Sequence, residues 1–245
     1  MFRACSVTVQ CRVPFALPMR KKLILALGVL FTLTGCLTIE ENYTFKKNGS
    51  GSMEYVVDMS ELGEMVKGLD ALSEDKDKPK DDLGMLDLKD NIEQLSTIPG
   101  ISKVKLQKQE WVQRISFRFN DLNALNSALN VLLPDSSGES HRFFAWEGST
   151  LVRTNNRHAQ ELGAGLGQQE EAFEGEEGGD LNMGALLSMM KYKYHFVFAN
   201  NVDRTELADG LSNAATKPRE VNVDTDWGVI ARDPKALDLR ITLHK

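Results

Sequence analysis

The residues that could do catalytic chemistry are few in this chain and widely separated. Its four histidines lack the H-x-H and H-E-x-x-H spacings of zinc hydrolases: His141, His158, His195 and His244. The stretch from Gly210 to Ala214, centred on Ser212, has part of a nucleophile-elbow pattern, but it lacks the last glycine and no apolar strand precedes it. We therefore predict no catalytic residue, no metal ligand and no cofactor, and expect that the chain is not an enzyme.

An acidic, glycine-rich tract occupies residues 160–180, with six glycines and seven carboxylates. Several carboxylates close together can bind Ca²⁺, but the spacing does not match an EF-hand loop. Such a composition is typical of a solvated, flexible segment. We interpret residues 156–180 as a flexible loop that divides the chain into two parts.

Methionine and leucine side chains crowd the short helix predicted over residues 181–190. Methionine is an adaptable apolar residue that is common on surfaces gripping varied partners. Met and Leu at helical spacing also occur in ordinary cores. Because the acidic tract precedes this helix, we keep the hypothesis that the helix binds a partner protein. The residues of this possible partner surface are Met183, Leu186, Leu187 and Met190, with Met189 beside them.

The segment Met19–Cys36 has the features of an export signal. Residues 20–22 are basic, and residues 23–35 form an apolar stretch of 13 residues, shorter than the about 20 residues that a transmembrane helix needs. The segment ends in Leu33, Thr34, Gly35 and Cys36. It resembles the signal peptide and lipobox of bacterial lipoproteins. That resemblance implies cleavage after Gly35 and attachment of a diacylglyceryl group to the Cys36 thiol.

The lipobox resemblance also bears on where the chain begins and where it resides. We expect translation to start at Met19 and residues 1–18 to be an artefact of start-site choice; the alternative is an unusually long basic region. Removing residues 1–35 takes away five of the 29 basic residues and no acidic one, so the net charge falls from −6 to −11. This charge argues against a nucleic-acid partner. Leu37 in place of aspartate after Cys36 implies the outer membrane rather than the inner one, if the organism has both.

Alternating apolar residues predict several β-hairpins between Cys36 and residue 155. The first runs over residues 39–57 and turns at 47–51, and the second runs over residues 103–119. Each precedes a predicted helix with an apolar stripe, one starting at Ser60 and running to Leu72, the other capped by Asn120 or Asp121. A further helix is expected from Leu83 to Ile98, and a third hairpin over residues 143–153.

This order of elements predicts an α+β fold, an antiparallel sheet of hairpins covered by helices, in which a ferredoxin-like two-layer arrangement is possible. The layout of residues 36–155, with the Asn48–Gly51 turn, is similar to the β-rich envelope domains of LppM-type lipoproteins.

The last part of the chain, residues 181–245, contains further predicted elements. Residues 192–198 alternate as a strand, and Asp203 is expected to cap a short helix through Leu207 and Leu211. Further strands are predicted at residues 220–223, 227–231 and 237–243. They either complete the sheet or form a small subdomain.

Three functions fit these features. We favour a membrane-anchored, non-catalytic envelope lipoprotein that binds a partner protein or an envelope ligand. The alternatives are a carrier of a lipid or another hydrophobe, which needs an apolar cavity, and a tethered hydrolase built from scattered Asp, Glu and Ser residues.

Overall fold

The computed structural model describes residues 37–64, 67, 88–154, 157–161, 187–213, 217–233 and 235–244. Several predictions lie outside these residues: the signal peptide, the lipobox with Leu33, Thr34, Gly35 and Cys36, most of the acidic loop, and Met183 and Leu186. Eleven strands are present in the described part: β1 (Thr38–Phe45), β2 (Gly51–Asp58), β3 (Ile101–Gln109), β4 (Val112–Phe119), β5 (Phe144–Glu147), β6 (Thr150–Arg153), β7 (Lys191–Phe198), β8 (Val202–Leu207), β9 (Ser212–Asn213), β10 (Glu220–Asp226) and β11 (Leu239–Leu243).

The strands form two sheets. The first has the order β3-β4-β2-β1-β7-β10-β9, and the second has the order β5-β6-β11-β8. All neighbours pair antiparallel except β1 and β7, which run parallel. The predicted α+β fold of hairpins with added C-terminal strands is confirmed. Its order of elements differs from the ferredoxin-like βαββαβ order, because two hairpins each precede a helix.

The turn between β1 and β2 has the chemistry expected from its sequence. Gly49 adopts a positive φ of 81°, which a residue with a side chain rarely adopts. The Asn48 side chain accepts hydrogen bonds from the Ser50 backbone N–H at 3.2 Å and from the Ser50 hydroxyl at 2.8 Å. These bonds fix the register in which Thr38 pairs with Asp58 and Phe45 with Gly51.

Three described helices accompany the sheets: α1 (Lys89–Thr97), α2 (Leu122–Leu132) and α3 (Trp227–Arg232). Asp121, one of the two predicted caps of α2, accepts a hydrogen bond from the Ala124 backbone N–H at 2.9 Å. Residues 60–64 are also helical, as are residues 157–161. None of the helices in the described ranges is long and apolar enough to cross a membrane.

A single hydrophobic core lies between the first sheet and the layer formed by α2 and the second sheet. Asn126 of α2 is buried and holds β5 in place: its side chain accepts from the Phe144 N–H at 2.8 Å and donates to the Phe144 carbonyl at 2.9 Å. Aromatic rings meet across the layers, as where Tyr43 of β1 lies 5.0 Å from Phe144, centroid to centroid.

The structure corrects two predicted elements in the C-terminal part. Residues 202–207 form strand β8 rather than a helix, because Thr205 and Leu207 pair with β11, and Asp203 contacts His244 instead of capping a helix. Residues 227–231 belong to helix α3 rather than to a strand. The side chain of Asp226 caps this helix through the Val229 N–H at 3.0 Å.

The strands β1 and β7 define two ends of the first sheet. At the Leu37 end, β1 and β7 begin and β2 and β10 finish. At the Phe45 end, β1 and β7 finish. Since a strand rises about 3.3 Å per residue, the eight-residue strand β1 separates these two ends by about 25 Å.

Candidate functional site

A groove opens at the Phe45 end, where the β1–β2 turn, the β5–β6 turn and the end of β7 converge. Its aromatic floor consists of the half-buried Trp146 together with Phe45 and Phe198, which are only 2% and 3% exposed. The ring centroid of Phe45 lies 6.1 Å from that of Trp146 and 5.6 Å from that of Phe198. The volume of this Phe45 groove is about 390 Å³, enough for a few side chains of a ligand.

The rim of the Phe45 groove is polar and basic. Lys46, Lys47 and Asn48 of the β1–β2 turn are exposed along one side. His244 lies on the rim as well, 3.4 Å from the carboxylate of Asp203. No acidic residue is among the described residues that line the groove. An apolar floor with cationic edges suits a ligand that carries both an apolar and an anionic group.

A second cluster of polar groups lies in the interior. Glu41 on β1 has none of its surface exposed, because its side chain points inward in register with Ile39 and Tyr43. The hydroxyls of Tyr43 and Tyr192 both donate hydrogen bonds to the Glu41 carboxylate. The guanidinium of Arg153 donates to the same carboxylate, at 3.3 and 3.4 Å.

Aromatic rings surround the guanidinium of Arg153, which is also fully buried. Its central carbon lies 4.8 Å from the ring centroid of Tyr194, and Phe143 and Phe144 are within 6 Å. A cation over aromatic faces is stabilised by the ring quadrupoles, and more strongly where water is excluded. Glu41 and Arg153 thus form a charged pair that joins the two sheets, with its hydrogen bonds supplied by protein groups.

Burial and charge in this Glu41–Arg153 cluster shift the pKa values of the titratable residues around it. Burial, reinforced by the Glu41 carboxylate, raises the pKa of Tyr43 and of Tyr192 well above the usual value, so both hydroxyls stay protonated. Burial and the positive charge of Arg153 lower the pKa of His158 well below its usual value, so its ring is neutral at pH 7. Neutral His158 lies 3.3 Å from the Tyr192 hydroxyl.

The Glu41–Arg153 cluster is sealed from solvent, and this limits what it can do. Glu41 and Arg153 expose none of their surface, and His158 exposes 8%. A substrate would need an opening to reach the carboxylate, whereas the cluster is well suited to fixing how the two sheets pack. Burial of this kind suits a role in holding the two sheets together, and the Phe45 groove is a candidate site that opens to solvent.

Two serine–histidine groupings do not have the geometry of a catalytic triad. In a triad, one imidazole nitrogen faces the serine and the other faces the carboxylate. The same nitrogen of His141, Nε2, lies 2.6 Å from Asp135 and 3.4 Å from Ser137. On the groove rim, Nε2 of His244 faces Asp203, but among the described residues no hydrogen bond joins the His244 ring to the nearby Ser149 hydroxyl. Neither grouping gives a basis for predicting nucleophilic catalysis.

Comparison with known proteins adds one similarity. No protein-family model and no curated protein matches the chain. The chain is similar in structure to the folded domain of LppM from Mycobacterium tuberculosis, determined by NMR. The similarity covers 87% of this chain and 92% of that domain, with 10% sequence identity and a TM-score of 0.42.

The described residues of the predicted partner surface differ in how much of their side chains is exposed to solvent. Met190 is only 6% exposed and belongs to the core, so it offers no surface to a partner. Leu187 is half-buried against that core. Met189 is 43% exposed. Met183 and Leu186 lie outside the described residues.

Sequence reasoning missed both the groove and the interior cluster. The alternation of β1 carries a signal for the cluster: Glu41 occupies an inward position between Ile39 and Tyr43, where an apolar residue is the norm. A charged residue at such a position needs a buried partner, and Arg153 is the one found. The groove brings together three turns far apart in sequence, and no local pattern predicts that meeting.

Proposed function

We propose that this chain is a non-catalytic envelope lipoprotein, held to the membrane through Cys36, that binds an acidic segment of a partner protein in the Phe45 groove. The observation that carries the binding part is the aromatic floor of the groove beside exposed Lys46 and Lys47. The anchoring part rests on the lipobox sequence that ends at Cys36.

The charge of the groove supports an acidic ligand. The whole chain has a net charge of −6, yet the groove carries two lysines and no lining carboxylate among the described residues. Complementary charge steers a partner and excludes partners of like charge. The half-buried Trp146 ring provides apolar contact area of the kind that dominates binding energy at interfaces, and the buried rings of Phe45 and Phe198 support it.

The position of the groove supports a tethered binding protein. Only Leu37 separates Cys36 from strand β1, so an acylated Cys36 would hold the fold close to the membrane. The groove opens at the other end of β1, about 25 Å away. A partner in the envelope can reach such a site without displacing the anchor.

Fluorescence anisotropy with labelled peptides tests the binding site. We expect Glu-Phe-Glu-Phe-Glu to bind the full chain, whereas Lys-Phe-Lys-Phe-Lys and Glu-Gly-Glu-Gly-Glu should bind much more weakly. Trp146→Ala should weaken the binding of the first peptide about 30-fold, as for a buried aromatic anchor. Lys47→Glu should weaken it about fivefold to tenfold, since an exposed charge contributes up to about 1 kcal/mol and reversal adds repulsion.

The matched control is Lys105→Glu, which makes the same charge change at an exposed position on β3, outside the groove. Equal loss of binding in Lys47→Glu and Lys105→Glu would mean that total charge rather than the groove attracts the peptide. Binding that survives Trp146→Ala unchanged would refute the groove as the site.

A further inference from the structure

Met189 is the exposed large hydrophobic residue of the described ranges, with 43% of its surface open to solvent. It ends the short helical turn at residues 187–189 and directly precedes buried Met190 and strand β7. Its neighbour Lys191 donates a hydrogen bond from its ammonium to the Ser188 carbonyl, at 2.9 Å. An apolar side chain on an exposed turn is thus followed, two residues later, by a cation that is hydrogen-bonded to the same turn.

This exposed turn lies beside the start of the mature chain. The Lys191 backbone N–H donates to the Leu37 carbonyl at 2.8 Å, and Lys191 pairs with Thr38 in the parallel β1–β7 ladder. Because neighbouring strands are about 4.8 Å apart and each residue adds about 3.3 Å, the backbone of Met189 is within about 12 Å of Leu37. Leu37 is the residue that follows Cys36.

An amphipathic side chain, that of Trp111, lies at the same end of the sheet. Trp111 joins β3 to β4, and its carbonyl accepts a hydrogen bond from the Met59 N–H at 2.9 Å, next to the Asp58–Thr38 pair. Its indole is half-buried, and the Lys67 ammonium lies 6.0 Å from the ring centroid. Tryptophan is enriched on protein surfaces at the level of lipid headgroups, and here the neighbouring Lys67 ammonium is paired with Glu64 at 3.1 Å and Glu110 at 2.9 Å.

From this placement we infer that the Leu37 end of the domain rests on the membrane, with Met189 inserted among the lipid headgroups and the Phe45 groove facing away. This inference rests on the proposed anchoring at Cys36, because the anchor brings the Leu37 end to the bilayer. Met189 contributes apolar contact at the interface, and Lys191 faces anionic headgroups. The domain then has a fixed orientation instead of swivelling on its lipid.

A fluorophore attached at residue 189 tests this orientation. The mature chain has Cys36 as its one cysteine, and acylation blocks that thiol, so Met189→Cys provides a single labelling site. The lipidated protein is purified, labelled with bimane and reconstituted into phosphatidylethanolamine–phosphatidylglycerol vesicles. Asn48→Cys, on the exposed β1–β2 turn at the Phe45 end, is the matched control, and Ser188→Cys is a second site on the Met189 turn.

We expect brominated lipids to quench the label at residue 189 or 188 several-fold more than the label at residue 48, and aqueous iodide to show the reverse order. Equal iodide quenching at residues 189 and 48 would overturn the inference. Protection of residue 189 from both quenchers would overturn it too, since a protein contact would then cover the turn. Mass spectrometry of Cys36 in the same samples separates the two proposals: an acylated Cys36 with a water-exposed label refutes the orientation alone.

Discussion

Glu41 and Arg153 lie on different sheets and meet in the interior, with 3.3 Å between the guanidinium nitrogen and the nearer carboxylate oxygen. Glu41 lies on β1 between Tyr55 and Tyr194 in the strand register. Arg153 ends β6, which pairs with β5 in the hairpin whose turn lines the Phe45 groove. This pair therefore connects the strand that follows Cys36 to the sheet that carries Trp146.

Breaking the Glu41–Arg153 pair should destabilise the fold strongly. Arg153→Met leaves the Glu41 carboxylate buried without its counter-charge. Glu41→Leu likewise leaves the Arg153 guanidinium buried without its counter-charge. Each single change should lower the free energy of unfolding by about 3–5 kcal/mol. The double variant should lose much less than the sum of the two, because it leaves no unpaired charge. Urea unfolding followed by circular dichroism measures all four proteins; losses that simply add would show that the pair is not coupled.

Acid should destabilise the protein through His158. Its pKa is lowered in the folded state by burial and by Arg153, while the usual value is 6.5. Protonation therefore favours the unfolded chain, and the stability contributed by neutral His158 is fully present above pH 6.5 and is lost as the pH falls below it. Nearby His141 also opposes protonation, and Asp135 favours it without outweighing the burial.

His158→Gln should flatten the stability profile between pH 7.5 and pH 5. The matched control is His195→Gln, because the His195 side chain is 41% exposed. Thermal unfolding at each pH measures the slope. A slope that is unchanged in His158→Gln, or reduced as much in His195→Gln, would contradict the assignment to His158.

Removal of the Asn126 side chain should loosen the β5–β6 hairpin, whose turn lines the Phe45 groove. Asn126→Ala leaves both the N–H and the carbonyl of Phe144 without their side-chain partners inside the protein. The expected loss is about 2–4 kcal/mol, on the order of two buried unsatisfied groups. Asn123→Ala, at an exposed position of the same helix, is the control and should cost little. Hydrogen exchange of β5 amides should rise in Asn126→Ala alone.

A deletion in the region of the acidic tract should leave the fold intact only if it spares Leu187 and Met190. A chain lacking residues 162–186 keeps Leu187 and Met190, which pack in or against the core. A chain lacking residues 160–190 loses Met190, and its melting temperature should fall by several degrees relative to the shorter deletion. Equal melting temperatures would show that Met190 does not contribute to core packing.

Local patterns in the sequence were enough to predict the main elements of the fold. Alternation predicted the hairpins around Gly49 and residue 110, and Asp121 was one of two residues expected to cap α2. Residues 202–207 were assigned wrongly because the pairing with β11 comes from distant sequence and overrides local capping signals. Residues 227–231 were assigned wrongly because Trp227 and Ile230, three residues apart, are spaced for a buried helix face.

The candidate site was much harder to predict. Glu41 stands out only once its inward position on β1 is taken as a signal, and Arg153 is 112 residues away along the chain. The Phe45 groove depends on the meeting of residues near positions 45, 146, 198 and 244. Such meetings are set by tertiary packing, so the sequence contains the lipobox-like motif but no local pattern that predicts the groove.

Mass spectrometry of the mature chain purified from membranes tests the central proposal most directly. We expect that the first residue is Cys36 and that its peptide carries the mass of a diacylglyceryl group. Cys36→Ala should abolish that mass and leave the precursor uncut or release the protein from the membrane fraction. A working protein that begins before residue 36, with an unmodified thiol, would contradict the account.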